Sequence, residues 1–329
     1  MTKPAAKRVL VTDSLQGVGV DVLRGEGLSV DVIPALPSEE LARRIGPYNG
    51  LVVRSATRVT AEVIAAAPAL EVIGRAGVGL DNVDVDAATR RGIVCMNTPG
   101  GNTIAAAEHT MALLLAVARK LPQAHAHLRG GKWERERFVG VEVYGKTLGI
   151  VGLGRVGTEV ARRAQGFAMT VVAYDPYLGT EIPEGLSVEL VDLDTLLRRS
   201  DFITVHIPLT KETRGLIGAA ELERTKPGVR IVNCARGGIV DEAALASAMQ
   251  AEHVAGAGLD VFDREPPWGS PVLDLEPVVV TPHLGASTEE AQTHVAVAIA
   301  QQVADLLLRG VARHAANTIQ PPQPSPTRA

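Results

Sequence analysis

The stretch Thr147 to Phe167, TLGIVGLGRVGTEVARRAQGF, decides the fold. A short strand-like run enters Gly152-Leu153-Gly154-Arg155-Val156-Gly157, a GxGxxG, and the residues after it have the composition of a helix. The first glycine permits a tight turn, the second lets backbone approach a pyrophosphate, and the third allows close packing of helix on strand. The N-terminus of the helix then favours negative charge. Eighteen residues beyond Gly157, Asp175 ends the strand-like TVVAY. An acid there can accept hydrogen bonds from both ribose hydroxyls of an adenosine and repels a 2′-phosphate, so NAD is preferred over NADP. Kinase loops share the glycine pattern, but neither HRD nor DFG follows. The plainer role for Asp175 is a strand-end turn before Pro176.

Around this segment, apolar runs bounded by turn residues lie at 147–151, 170–174, 202–205, 230–233, 256–260 and 278–281, with helix-like stretches between them. Six such strands make a complete dinucleotide-binding sheet. A second alternating series precedes it, with strands expected at 8–12, 28–33, 50–53, 71–73 and 93–96 and helices at 37–45, 60–67 and 82–91. Between the two series, 102–121 reads as one long buried helix capped at Asn102 or Thr103. Another long helix is expected at 289–309, followed by NTIQPPQPSPTRA, whose prolines forbid helix and central strand. If the closing helix packs on the first series, the first domain is built from both ends of the chain. The expected division is a substrate-binding domain at 1–100 and 287–315, an NAD-binding domain at 101–286 and a disordered tail at 316–329.

Composition agrees with an α/β class. Of 329 residues, 46% are hydrophobic and 21% charged, which excludes disorder throughout and allows two cores. Aromatics are 3% while glycine reaches 33 residues, so Val, Ala, Leu and Ile carry the apolar content, as in buried parallel strands with covering helices. A formal net charge of −4 gives no electrostatic reason to expect a nucleic acid or an anionic membrane as partner. Cys95 and Cys234 stand outside any CxxC spacing, which fits a reducing cytoplasm better than a disulfide framework or a zinc knuckle. The apolar run near the N-terminus is too short for a signal peptide, so a soluble intracellular protein is expected.

Three polar residues fall at the ends of later strands, where open α/β sheets place their ligands: Arg236 after IVNCA, Glu265 in FDREPP and His283 after VVVTP. Hydride transfer from a secondary alcohol needs a base for the hydroxyl proton, a cation for a carboxylate and a group that tunes the base. His283, Arg236 and Glu265 suit these roles in that order, and a carboxylate beside an imidazole favours its protonated form. Asp260 can act from behind them. A structural histidine and a turn-capping glutamate are the plainer alternatives. The other histidines, His125 and His127 included, show no metal-ligand spacing, and no metal is expected.

GLGRVG with Asp175, NCARGGIVDE, GLDVFDREPP and TPHLGAST together resemble the D-isomer-specific 2-hydroxyacid dehydrogenases, and within them the 3-phosphoglycerate dehydrogenase subgroup. LVVRSATRVT, IGRAGVGLDNVDVDAATRRGIVCMNTPGGNT and GGKWERERFVGVEVYGKTLGIVGLGR extend the likeness, which reaches to about residue 305. The resemblance implies two doubly wound parallel-sheet domains, a Rossmann NAD-binding domain and a smaller flavodoxin-like substrate domain, with a cleft that closes over substrate. It implies catalysis by Arg236, Glu265 and His283, with His283 as the acid/base. NAD would touch Arg155, Val156, Asp175, Ile207, Cys234, Asp260, Gly285 and Ala286, with Val78 contributing backbone where some members have threonine. It further implies a homodimer through the NAD-binding domain.

A phosphorylated substrate needs cations beyond the catalytic arginine, and Arg54, Arg75 and Arg135, with Lys132 and Arg137 nearby, supply them within the resembling segments. The plainer alternative for Arg75 and Arg135 is an ordinary surface charge, and Asn102 suits substrate binding and helix capping equally. The expected reaction is oxidation of the C2 hydroxyl of 3-phospho-D-glycerate to 3-phosphohydroxypyruvate, the first step of phosphorylated serine synthesis. Alternatives are a glyoxylate or hydroxypyruvate reductase or another 2-hydroxyacid dehydrogenase, and, in another class, an NAD-sensing protein resembling the C-terminal-binding corepressors. Many members of the subgroup carry a C-terminal serine-sensing domain of the ACT type. The chain stops short of one, as a short form or a truncation, and inhibition by serine through such a domain is not expected.

Overall fold

The computed structural model describes residues 6–178, 182 and 185–318. The chain forms two units, Met1–Asn102 with Ser287–Ala329, and Thr103–Ala286. In the first, strands β1 (Arg8–Val11), β2 (Ser29–Val32), β3 (Gly50–Val53), β4 (Val72–Arg75) and β5 (Val94–Met96) alternate with helices α1 (Gly17–Gly25), α2 (Ser38–Arg44), α3 (Ala61–Ala65) and α4 (Val85–Arg90). All strand pairs are parallel, in the order β2-β1-β3-β4-β5. The central strands are buried on both faces, as helices on both sides require. Leu10, Leu51 and Ile73 pack with Leu41, Ile45, Val63 and Ile64, while Val9, Val11, Val52 and Val72 face Val20 and Leu23 of α1.

The second unit opens with α5 (Thr103–Arg119) and α6 (Leu121–Arg129), then a 3₁₀ turn at Arg135–Phe138. The helix expected over 102–121 is found as α5, ending at Arg119, and an unexpected second helix begins directly after a break at Lys120, whose φ is 51°. The break has a cause in the next residues: Pro122 lacks an N–H to continue α5 and suits the first turn of a new helix. There follow β6 (Thr147–Val151), α7 (Arg155–Gly166), β7 (Thr170–Tyr174), β8 (Val188–Leu190), α8 (Leu193–Arg199), β9 (Phe202–Val205), α9 (Ala219–Glu223), β10 (Val229–Asn233), α10 (Glu242–Gln250), β11 (Val254–Leu259) and β12 (Val278–Val280).

The seven parallel strands run in the order β12-β11-β10-β9-β6-β7-β8. Numbered from β6, this is the doubly wound 3-2-1-4-5-6 order with one more strand at the far edge, and it reverses between β6 and β9. The sheet therefore has one strand more than expected. β8 pairs with β7 at the opposite edge from β12, and its residues alternate buried Val188 with exposed Glu189.

The closing helix, α11 (Glu289–Arg309), belongs to the first unit. Thr288 caps it by accepting the Ala291 N–H at 3.1 Å, and Gly310 ends it in the left-handed conformation. Val295, Ile299, Val303 and Leu307, four residues apart, form the apolar stripe that joins the core under β1, β3 and β4. Residues 316–318, expected in a disordered tail, are instead ordered by pairing with the β5 edge. Ala316 N–H donates to Cys95 O at 2.7 Å, and the Asn317 side chain accepts from Cys95 N–H and donates to Ile93 O. The remainder of that expected tail, 319–329, lies outside the described residues. Among the described residues no helix is long and apolar enough to cross a membrane.

Candidate active site

The turn from β6 into α7 is shaped by its glycines. Gly152 has a φ of +94°, and a Cβ at Gly157 would lie 2.1 Å from Gly152 O, so the turn and the helix meet with no room for a side chain. A Cβ on Gly154 would meet nothing within 4 Å. Gly154 is also the N-cap of α7 and offers no side-chain cap to the first N–H groups of that helix. A pyrophosphate fits here: the backbone is accessible and the helix terminus carries partial positive charge. Arg155 is exposed and Val156 half-buried in the first turn of α7.

Asp175 stands one residue past β7 and reaches back to this turn. Its Oδ2 accepts the Leu153 N–H at 2.9 Å, and its Oδ1 accepts the N–H groups of Tyr177 and Leu178. The turn role expected for Asp175 is thus present, and the same side chain also ties down the glycine turn through Leu153. With three acceptor positions engaged, Asp175 retains capacity for about one further strong hydrogen bond rather than two. Across the switch point, Ile207 follows β9. His206 beside it contacts Thr204 Oγ1 at 3.0 Å, and burial pushes its imidazole down to about 3.

The strand-end residues of β10, β11 and β12 converge. At the end of β10, Asn233 donates to Arg236 O at 2.9 Å and accepts the Ala235 N–H, which fixes the turn carrying Arg236. Gly237 follows, and a Cβ there would sit 1.8 Å from Phe262 O, so the Arg236 loop and the loop leading to Glu265 touch backbone to backbone. Glu265 accepts the Phe262 N–H through Oε1 at 3.2 Å, and its Oε2 lies 2.8 Å from His283 Nδ1. Burial works to raise the Glu265 pKa but is outweighed by the hydrogen bond and charge of His283 and by the Phe262 N–H, so the carboxyl is held below its ordinary value. The pair is solvent-accessible, with side chains 49% and 39% exposed, and so contributes at most about 1 kcal/mol to folding. Beside it lies an apolar cavity of about 350 Å³ walled by Phe262, Pro267, Trp268, Leu273, Val280 and Pro282.

His283 adopts a φ of +56°, an uncommon conformation for a residue with a side chain. Its N–H donates to Asp260 O at 2.9 Å and to Thr281 O at 3.0 Å. The Asp260 carboxylate is buried and accepts from Leu284 N, Gly285 N, Thr281 Oγ1 and His109 Nε2. Burial acts to raise the Asp260 pKa, but the hydrogen bonds of His109 and Thr281 and the two N–H groups overcome it and hold the carboxyl low. His109 and Thr281 were not singled out in the sequence. Cys234, half-buried just past β10, is pushed up to about 12 by burial and so remains a neutral thiol. Ala286 closes the turn after Gly285.

In the first unit, Arg54 follows β3 and Arg75 ends β4, at the C-terminal edge of the sheet. The Arg54 N–H donates to Asp13 Oδ2 at 2.8 Å and its Nη1 to Ser14 O at 3.0 Å, and the Arg75 guanidinium lies over Gly77. Val78 is exposed in the loop after β4, and Asn102 directly precedes α5. In the second unit Arg135 is exposed near Trp133 and His127 and does not line the cavity beside the His283 and Glu265 pair. Arg137 there is committed to Glu134 and Glu276. Among the described residues no cluster of three or more His, Cys, Asp or Glu is placed to hold a metal ion.

Residues 111–285 match the family model for the D-isomer specific 2-hydroxyacid dehydrogenase NAD binding domain. A curated D-3-phosphoglycerate dehydrogenase of Archaeoglobus fulgidus is 53% identical over 94% of this chain and 59% of its own length. The chain spans about three fifths of the length of the curated relatives it matches. Among solved structures, the TT0316 protein from Thermus thermophilus is 40% identical, with a TM-score of 0.84 over 91% of this chain and 96% of its own. A glyoxylate reductase from Paecilomyes thermophila is 29% identical, with a TM-score of 0.85 over 95% of this chain and 98% of its own. The matched segment contains both the glycine turn and the histidine–glutamate pair, and the chain belongs to the D-isomer specific 2-hydroxyacid dehydrogenases, with their NAD-binding domain in its second unit.

Proposed function

We propose that the chain is an NAD-dependent 3-phosphoglycerate dehydrogenase that oxidises the C2 hydroxyl of 3-phospho-D-glycerate to 3-phosphohydroxypyruvate, the first step of phosphorylated serine synthesis. The observation that carries the dehydrogenase reading is the 2.8 Å contact between His283 Nδ1 and Glu265 Oε2 at the strand ends of the NAD-binding domain. With its Nδ1 proton donated to the carboxylate, the ring presents Nε2 as the base for the substrate hydroxyl proton. Glu265, ionised at neutral pH, stabilises the imidazolium that results. Arg236 engages the substrate carboxylate and orients C2. NAD, when bound, would supply the acceptor for the C2 hydride.

The cofactor would be held by Gly152, Gly154, Gly157 and the first turn of α7 with Arg155 and Val156, by Asp175 at the adenosine ribose, and by Ile207, Cys234, Asp260, Gly285, Ala286 and Val78. Arg54, Arg75, Asn102 and Arg135 are assigned to the substrate's anionic groups. Curated relatives bearing the phosphoglycerate dehydrogenase name, from 53% to 48% identical, support the substrate. The enzyme is proposed to work in the cytoplasm as a homodimer joined through the NAD-binding domain. The dimer is supported by the exposed apolar side chains of Leu121, Leu128, Trp133, Val139 and Tyr144 in that unit.

The test is a rate panel of 2-hydroxy and 2-keto acids with and without a 3-phosphate. Phosphohydroxypyruvate should be reduced with a kcat/KM at least about tenfold above that of hydroxypyruvate or glyoxylate, the value of one charge-assisted contact. Preference for glyoxylate or hydroxypyruvate would overturn the substrate and favour the reductase reading, which the likeness to the glyoxylate reductase supports.

A further inference from the structure

The Asp260 carboxylate is reached from three places in the second unit: by Thr281 Oγ1 from beyond β12, by the N–H groups of Leu284 and Gly285, and by His109 Nε2 from α5. The proton positions follow from chemistry. An ionised carboxylate only accepts, so Thr281, 2.6 Å from Asp260 Oδ1, donates its hydroxyl proton to that oxygen. His109 Nε2 lies 3.0 Å from Thr281 Oγ1 and 3.1 Å from Asp260 Oδ1. The hydroxyl has already given its only proton, so both of these oxygens are acceptors and His109 Nε2 must bear hydrogen.

From this we infer that His109 is a positioning residue for the reaction: it donates through Nε2 to the Asp260 and Thr281 pair and thereby fixes the turn that presents His283. Asp260 is the knot of that turn. Its carbonyl accepts the His283 N–H while its carboxylate accepts from the next two residues. His283 itself sits at a positive φ, a conformation that persists only where neighbouring contacts over-determine it. Loss of a donor to a buried carboxylate loosens those contacts. A displacement of the base on the order of 1 Å is enough to slow chemistry severely without abolishing binding. His109 touches no reacting atom under this proposal, which rests on the reading of His283 as the acid/base.

The experiment compares His109→Leu, which removes the donor, with His109→Gln, which keeps an N–H near the Nε2 position. On folded protein, His109→Leu should lower kcat for 3-phosphoglycerate roughly tenfold with KM within threefold, and His109→Gln should stay within threefold of the unaltered enzyme. Equal kcat in the two variants, high or low, would overturn the inference. A second measurement does not depend on how the variants fold: with ¹⁵N-labelled histidine in the unaltered protein, the His109 Nε2 signal at neutral pH should be that of a protonated nitrogen. An unprotonated Nε2 also overturns it. His283→Ala, assayed alongside, separates the two levels. If that variant remains active, the reading of His283 fails, whereas an inactive His283→Ala beside a fully active His109→Leu sinks the role of His109 alone.

Discussion

Both units are parallel sheets covered by helices on two faces, yet they differ at the place where strand order reverses. In the first, β1 is followed after Thr12 by Asp13, whose carboxylate is taken up by the neighbouring loop, accepting the N–H groups of Arg54 and Thr57 and the Thr57 hydroxyl. The chain then passes Ser14, Leu15 and Gln16 before α1 begins. In the second, β6 runs directly into Gly152-Leu153-Gly154, and the backbone lies open at the helix N-terminus. The shared architecture supplies a crevice at each switch point, and the residues of one turn decide whether it can receive a pyrophosphate. An aspartate at a strand end ties loops in both units: Asp13 holds the loop of Arg54, and Asp260 holds the turn of His283.

The proposed function places chemistry and nucleotide in the second unit and the substrate phosphate at the first, and that division can be broken experimentally. The largest effect is expected for His283→Ala, which should lower kcat by about 10³-fold while the Kd for NADH, followed by fluorescence titration, stays within threefold. Loss of NADH binding in parallel would make His283 structural. Next, Gly154→Ala should weaken NADH by roughly tenfold to a hundredfold through steric exclusion of the pyrophosphate, with no change in Tm because its Cβ meets no protein atom. Gly157→Ala, whose Cβ meets Gly152 O, should lower Tm as well. Unaltered NADH affinity in Gly154→Ala would remove the turn from the nucleotide site. Arg54→Ala sharpens the other side, with an expected rise of roughly tenfold in KM for the phosphorylated substrate and unchanged NADH affinity. A weaker grip on NADH instead would move Arg54 out of the substrate's reach.

The smallest effect concerns stability. His206 is pushed from 6.5 down to about 3, so between these values the unfolded chain binds a proton that the folded chain refuses. Its contribution is fully present above pH 6.5 and declines as pH falls toward 3, by at most about 1.4 kcal/mol per pH unit. Urea unfolding at several acidic pH values should show a shallower loss in His206→Gln. An identical slope would mean that the imidazole protonates freely in the native state.

The strands of the second sheet were legible where apolar runs meet turn residues at both ends, and β6, β7 and β9 begin and end where the sequence places them. β8 was not, because three residues with one exposed Glu189 carry too little apolar signal. The break at Lys120 had a sequence signal in Pro122, which cannot continue α5, whereas nothing in a lysine marks a left-handed conformation. His283 and Glu265 were legible through their strand-end positions. His109 was not, since it sits within an apolar helix and its partners are 151 and 172 residues away in the chain. The second task of Asp175 was hidden for a related reason: an N–H acceptor for Leu153 is defined only once the turn has folded.

The backbone contact at Gly237 sets a rule for re-engineering this protein. Because residue 237 leaves no space between itself and Phe262 O, the segment bearing Arg236 and the segment bearing Glu265 cannot be exchanged one at a time. A graft that brings 234–238 from a relative without the matching 261–266 imports a mismatch in the main chain, whatever side chains it carries. Libraries aimed at new hydroxy acids should therefore treat the two segments as a single cassette and vary them together.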